Sequence, residues 1–239
     1  MRRKLRLAWA GFHIVLATAV CGLFCILAAL VDWRKRSMWL YSKSWSRWIL
    51  WSTGLKVQVD GRERLTPGAR YIYMPNHNSA LDILLAFAIL PGSIAFMAKR
   101  ELFRIPFFGW TLRAVGSIPV DRSNRAQAVR SVERTLVTLA RTRVNLVLYP
   151  EGTRSRTGEL QPLKRGGFVL AIRSALPVVP VVSTGSFQAL PPDGLNLTQV
   201  PLRLTIGDPI QTRNLTVDDA RQLRAEVRSR MEAMLAAPG

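Results

Sequence analysis

From Ala8 to Val31 the chain runs for 24 consecutive positions without a Lys, Arg, Asp or Glu, and His13 is the main polar intrusion. A helix of about 20 apolar residues is long enough to cross the hydrocarbon of a bilayer. The run is longer than the roughly 7–15 apolar residues of a signal-peptide core, and no small-residue cleavage site stands out after it. Both flanks are basic, with Arg2, Arg3, Lys4 and Arg6 before the run and Arg34, Lys35 and Arg36 after it. The excess of cations on cytoplasmic flanks therefore assigns no orientation. Symmetric flanks also suit a segment that enters one leaflet and returns.

Residues Ser37–Leu55 hold four of the seven tryptophans, Trp39, Trp45, Trp48 and Trp51. Tyr41, Trp45, Trp48 and Leu55 fall on one face of a helix. Trp and Tyr collect where lipid meets water, so the stretch reads as a helix in the interface plane. Packing of the same aromatics on the rest of the protein is the other reading. Residues 1–55 are expected to form a membrane-associated helical hairpin, made of an anchor and an interfacial helix.

Beyond residue 55 the pattern changes. Short β-type runs cover Lys56–Asp60, Arg70–Met74, Ile94–Ala98, Ser117–Val120, Asn145–Tyr149, Val178–Ser183 and Leu202–Ile206. Between them Asp82–Leu90, Ala126–Arg141 and Gly167–Ala175 read as helices, the second with Val129, Val132, Leu136 and Leu139 on one face. A last helix, Val217–Leu235, opens with Thr216 as cap and carries the stripe Leu223, Val227, Met231 and Leu235. Such alternation predicts an α/β domain over residues 56–239, with a largely parallel sheet flanked by helices.

The formal charge is +19, and 28 of the 34 basic residues are Arg. Such a chain attracts anionic lipid headgroups, nucleic acid or acidic proteins. The basic residues are dispersed and no aromatic platform interleaves them in the globular part, which disfavours a nucleic-acid binder. Cys21 and Cys25, both inside the apolar run, offer no disulfide framework; a reducing cytoplasmic setting fits.

Two short segments carry chemistry. Pro75-Asn76-His77-Asn78-Ser79-Ala80-Leu81-Asp82 follows a strand and opens a helix. His77 is the one histidine outside the apolar run, and imidazole suits proton transfer near neutrality. Five positions along one helix would turn His77 and Asp82 apart by about 140°. They meet if His77 stays in the turn and Ser79 caps the helix, where a carboxylate in the first turn is also favoured by the helix dipole. Asp82 would then fix the tautomer and stabilise the imidazolium. Read alone, the segment serves equally as a capping turn. Pro150-Glu151-Gly152-Thr153-Arg154-Ser155 follows another apolar strand. Gly152 lets a backbone come close, Thr153 offers a hydroxyl and Arg154 a planar fork for phosphate. An ordinary glycine turn with a solvated arginine is the alternative. In open α/β sheets ligands bind beyond the carboxyl ends of strands, where both segments are expected.

Together the two segments resemble those of the glycerolipid acyltransferase family, and closely those of its 1-acyl-sn-glycerol-3-phosphate acyltransferases. The first matches the family's His-x4-Asp block and the second its Pro-Glu-Gly-Thr-Arg-Ser block. Gly116–Arg122 and Leu176–Val181 resemble two weaker blocks in the same order, with Pro119 standing where an aromatic is frequent. The resemblance implies His77 as general base oriented by Asp82, Lys99, Arg122 and Arg154 as phosphate ligands, and Glu151, Gly152 and Thr153 as walls of the acceptor pocket. It implies transfer of an acyl group from acyl-CoA or acyl carrier protein to the sn-2 hydroxyl of 1-acyl-glycerol-3-phosphate (lysophosphatidate), giving phosphatidate at the cytoplasmic face of a membrane. Another lysolipid such as a lyso-ornithine lipid is an alternative acceptor. A non-enzymatic basic protein binding membrane or nucleic acid is the reading from a different class. No Gly-x-Ser-x-Gly elbow is present, which argues against an acyl-enzyme, and no metal or redox cofactor is implied.

Overall fold

A computed structural model of the chain describes residues 2–32, 38–120, 125–194 and 197–237. The N-terminal run forms α1, Arg2–Val31, followed by α2, Met38–Thr53. Along α1, Ala10, His13, Ala17 and Cys25 are buried, while Trp9, Phe12, Val15, Leu23, Phe24, Leu27 and Leu30 are exposed. Small residues on the inner face let α2 approach closely. The exposed apolar flank of α1 far exceeds the scattered apolar side chains usual on a protein surface.

The aromatic stripe of α2 turns inward. Trp45 Nε1 donates to Thr18 Oγ1 at 3.0 Å, and Trp48 Nε1 donates to His13 Nδ1 at 3.0 Å. Both rings pack against the main core, and Tyr41 packs against a small cluster of Cys25, Met38, Ala114 and Val115. The expected interfacial face is thus the packing face, because it finds hydrogen-bond partners on α1 for its two indole N–H groups. Leu55 lies past the end of α2. Among the described residues the outward tryptophans of the hairpin are Trp9, Trp39 and Trp51.

Among the described residues seven strands form one sheet in the order β1-β7-β6-β2-β5-β3-β4: β1 Val57–Asp60, β2 Ile72–Pro75, β3 Ile94–Lys99, β4 Ile118–Val120, β5 Asn145–Val147, β6 Val178–Thr184 and β7 Leu202–Ile206. All neighbours run parallel except β6 and β7. The central strands β2 and β5 are buried on both faces, so they read as unbroken apolar runs. One face of the sheet, with Tyr73, Val147 and Val179, packs on α1, α2 and α3 (Leu81–Ile89). The other, with Ile72, Met74 and Leu146, packs on α5 (Arg125–Arg141), α6 (Arg165–Ser174) and α8 (Ala220–Ala236). The stripes lie where the patterning puts them: Leu139, Leu223, Val227 and Met231 are buried. Thr216 and Asp219 form a capping box over a 3-10 turn, Val217–Asp219, that runs into α8. Short elements that carried no periodic signal include the 3-10 turns Arg62–Arg64 and Arg100–Arg104, α4 (Phe108–Ala114) and α7 (Ser186–Ala189).

Candidate functional site

The strand order reverses around β2, and the carboxyl ends of β2, β5, β6 and β3 converge there. Asn76, just past β2, ties the ends of β2 and β6 together. Its Nδ2 donates to Ser183 O at 3.0 Å, and its Oδ1 accepts the Ser183 N–H at 2.7 Å. The next residue, His77, is held through its own backbone. Its N–H donates to Glu151 Oε1 at 2.7 Å, and its carbonyl accepts the Ser155 N–H at 2.7 Å. The two chemistry-bearing segments therefore brace each other.

Asp82 sits in the first turn of α3 and reaches back towards the strand. Its Oδ2 accepts the N–H groups of Asn78 and Ser79, each at 2.7 Å, and lies 3.1 Å from His77 Nδ1. Its Oδ1 accepts the Ser183 hydroxyl at 2.7 Å. A carboxylate surrounded by donors only accepts, so in the neutral imidazole the proton sits on His77 Nδ1 and Nε2 holds the lone pair. The cap differs from the expected one. Ala80, not Ser79, holds the N-cap position, and the Ser79 hydroxyl donates to Leu190 O while accepting the Leu81 N–H. The capping and imidazole-orienting readings are not alternatives here, since one carboxylate closes the turn and faces the ring.

The His77 side chain is 14% exposed and that of Asp82 is 1% exposed, so the ring alone reaches the adjoining space. That space is a largely apolar cavity of about 320 Å³. Thr18, Cys21, Gly22 and Cys25 of α1 and Trp45 of α2 form one wall; Phe87 of α3, Phe96–Lys99 of β3 and Thr111 of α4 form others. Tyr149 stacks on His77 with ring centroids 3.9 Å apart and planes at 19°. Burial, reinforced by the charge of Asp82, pushes the Tyr149 phenol well above its usual pKa.

Of the residues singled out for binding, Lys99, Gly152, Thr153 and Arg154 line this cavity. Gly152 takes a φ of 77° and lies against Lys164, so a side chain there would be strained and crowded. Lys99 and Arg154 are exposed at the rim. Lys99 Nζ lies 3.9 Å from Glu101 Oε2, and among the described residues Arg154 makes a single long bond of 3.5 Å to Pro192 O. Glu151 is not a pocket wall. Its buried carboxylate spans two backbone donors, the His77 N–H and, at 2.9 Å, the Gln161 N–H. Burial raises its pKa, and those two N–H groups partly oppose the rise. Arg122 lies outside the described residues. Among the described residues no group of three His, Cys, Asp or Glu side chains is placed to hold a metal ion. Asn76, Tyr149 and Ser183 are site residues with no role in the sequence reading. The available signals were an aromatic ahead of Pro150 and a polar residue ending the apolar strand Val178–Val182.

A buried His–Asp pair facing an apolar cavity, at the carboxyl ends of a mostly parallel sheet, is the arrangement of an α/β acyltransferase. The family model for Acyltransferase matches residues 56–184, and the chain belongs to that family. It is similar to the 1-acyl-sn-glycerol-3-phosphate acyltransferase of Saccharomyces cerevisiae, at 33% identity over 91% of this chain and 74% of that one. It is 34% identical to the enzyme of that name from Limnanthes douglasii, over 87% of this chain and 74% of the relative. The human 1-acyl-sn-glycerol-3-phosphate acyltransferase alpha is 31% identical over 93% and 76%. In fold the chain is similar to the crystal structure of the 1-acyl-sn-glycerophosphate (LPA) acyltransferase PlsC from Thermotoga maritima, with a TM-score of 0.84 and 23% identity, covering 100% of this chain and 98% of that one.

Proposed function

We propose that the chain transfers an acyl group from acyl-CoA or acyl carrier protein to the sn-2 hydroxyl of 1-acyl-glycerol-3-phosphate, giving phosphatidate and the free thiol of the carrier. The observation that carries this reading is the His77 ring, backed by Asp82, at the wall of an apolar cavity with Lys99 and Arg154 at its rim. His77 Nε2 takes the hydroxyl proton as the acceptor oxygen attacks the thioester carbonyl. Asp82 stabilises the imidazolium that forms. The tetrahedral intermediate collapses, the carbon–sulfur bond breaks, and the thiolate takes the proton back from the imidazolium. A thiolate leaves without a strong acid, so one histidine suffices. The apolar cavity suits an acyl chain; Lys99 and Arg154 suit the acceptor phosphate, as does Arg122 by sequence. Gly152 and Thr153 shape the wall beside the acceptor, and Glu151 acts from behind by holding the His77 backbone. The names of the yeast, plant and human relatives support lysophosphatidate as acceptor.

The apolar helix α1, whose stretch Leu7–Val31 is long enough to span a bilayer, and the outward Trp39 and Trp51 favour a chain seated in the membrane; the proposal places the site on the cytoplasmic face, the side of the acyl thioester donors. The test is acyl transfer from labelled acyl thioester by the purified chain, offered lysophosphatidate, a lyso-ornithine lipid and other lysolipids separately. Labelled phosphatidate is expected. Acylation of the lyso-ornithine lipid with none of lysophosphatidate would replace the acceptor assignment.

A further inference from the structure

Outside α1 and α2 the exposed large apolar side chains among the described residues are scattered singly, except along one segment. There Leu102, Ile105 and Trp110 stand out, the last two 47% and 57% exposed. Isolated cases need no explanation, but a concentrated set does. Interleaved with them are the exposed Arg100, Arg104 and Arg113, which line a cleft of about 250 Å³ with Phe103, Ser117 and Pro119. The Arg113 guanidinium lies over the Phe103 ring, 5.7 Å from its centroid. The segment is anchored to α1: Gly22 leaves no room for a Cβ against the Phe107 ring, and Cys25 shares a small core with Ala114 and Val115. The exposed Leu23, Phe24, Leu27 and Leu30 lie on the same half of α1. Ile105 and Trp110 therefore stand on a segment packed against the half of α1 that carries this apolar flank, with the arginines in the same segment.

We infer that residues 100–113 form a third membrane-contact element. Leu102, Ile105 and Trp110 enter the interface, and the arginine cleft holds the phosphate of an anionic phospholipid that is not itself a substrate. The inference rests on the membrane seating proposed above. Tryptophan suits the boundary of lipid and water, guanidinium forks match phosphate oxygens in pairs, and an anionic leaflet attracts basic residues close to it. The apolar neighbours distinguish this occupant from a soluble anion or an acidic protein, which would match the arginines and leave Ile105 and Trp110 in water. The segment follows directly on Lys99, so a lipid held there would turn the cavity rim towards the bilayer, from which a lysolipid arrives.

The experiment measures binding of the full chain to phosphatidylcholine vesicles with and without phosphatidylglycerol. The parent should bind the anionic vesicles more tightly. Arg100→Gln, Arg104→Gln and Arg113→Gln combined should erase most of that gain, about fivefold per arginine, and leave binding to neutral vesicles in place. Arg130→Gln, Arg143→Gln and Arg221→Gln combined make the same charge change on or beside α5 and α8, across the sheet, and should keep the gain. Trp110→Glu alone should weaken binding to both kinds of vesicle. Equal losses from the two triple variants would overturn the inference, leaving only the effect of total charge. So would a higher KM for acyl-CoA or acyl carrier protein in neutral micelles with vesicle binding intact, which would make the cleft a donor site. A parent that binds neither vesicle would remove the membrane seating itself.

Discussion

Replacing Asp82 by Asn separates the charge of this side chain from its shape. The carboxylate has three N–H donors on Oδ2 and the Ser183 hydroxyl on Oδ1. An asparagine placed with its carbonyl oxygen at the Oδ2 position keeps the Asn78 and Ser79 N–H bonds. Its amide then faces Ser183 Oγ, which can turn from donor to acceptor. Two backbone donors thus force the amide oxygen towards His77, so Nδ1 keeps its proton and the tautomer stays correct. What disappears is the negative charge opposite a developing imidazolium. A hydrogen bond to a charged group contributes about 1.5–3 kcal/mol, and each ~1.4 kcal/mol is tenfold in rate, so kcat should fall about 10- to 200-fold. A histidine trapped in the wrong tautomer would lose about 10⁴-fold. KM for lysophosphatidate should hardly move, because Asp82 is buried behind the ring and touches no part of the cavity. Asp82→Ala is a different perturbation. It strands the buried Asn78 and Ser79 N–H groups, at about 1–3 kcal/mol for each group left without a partner, and leaves the Ser183 hydroxyl its longer contacts with Asn76 Oδ1 and Ser186 Oγ; it should lower the melting temperature by at least several degrees. The assay is acyl transfer in neutral micelles, separating kcat from KM, beside thermal melts of both variants. Near-parental turnover of Asp82→Asn, or a defect confined to KM, would refute the assignment of Asp82 as the group that stabilises the imidazolium.

His77→Ala should lower turnover by roughly 10²–10⁴-fold, the usual size of general base catalysis, with the melting temperature kept; near-normal turnover in a folded variant would sink the mechanism. Arg154→Ala should lower kcat/KM for lysophosphatidate by about tenfold to a few hundredfold through loss of a charge-assisted contact, towards the lower end because the guanidinium is exposed; unchanged use of lysophosphatidate would point to an acceptor without a phosphate. Glu151→Gln should change the pH dependence of stability. Burial raises the Glu151 pKa in the folded chain, so the folded state holds that proton more tightly than the unfolded one, and the stability so gained is present at low pH and lost as pH rises through the folded value. The melting temperature of the parent relative to Glu151→Gln should therefore decline as pH rises from the ordinary carboxylate range, and a difference independent of pH would contradict the burial argument.

The sheet was legible because its central strands are buried on both faces. Ile72–Pro75, Asn145–Val147 and Val178–Thr184 leave the pattern no polar side to blur it. The amphipathic helices were legible for the complementary reason: Leu223, Val227 and Met231 mark the inward side of a helix whose other side is charged. Where both sides of an element are apolar, that contrast fails. The stripe Tyr41, Trp45 and Trp48 faces protein, Trp39 and Trp51 face outward, and periodicity treats the two sets alike. What separates them is hydrogen bonding to Thr18 and His13, 27 and 35 positions away in the chain. Residues Phe108–Ala114 escaped because a helix of seven residues, held by docking on α1, shows too little of any period to register.

Site residues divide along a similar line, between what a side chain is and where its backbone aims it. The identities of His77, Asp82 and Glu151 follow from short patterns, but the pattern puts Glu151 next to Gly152 and Thr153 as though all three faced one ligand. A tight turn sends adjacent side chains in different directions: Gly152 and Thr153 reach the cavity, while the Glu151 carboxylate points back to bind the amide of His77. That bond, with Ser155 N–H on the His77 carbonyl, explains in physical terms why both segments are needed together. A histidine in a loop between a strand and a helix has no ladder of its own, and an imidazole that must meet both Asp82 and an acceptor hydroxyl tolerates little movement. The second segment supplies the missing hydrogen bonds on both sides of His77. By this argument the Pro-Glu-Gly-Thr-Arg-Ser sequence does two jobs that can be separated. Loss of Glu151 acts on kcat through the position of His77, and loss of Arg154 acts on the capture of the acceptor.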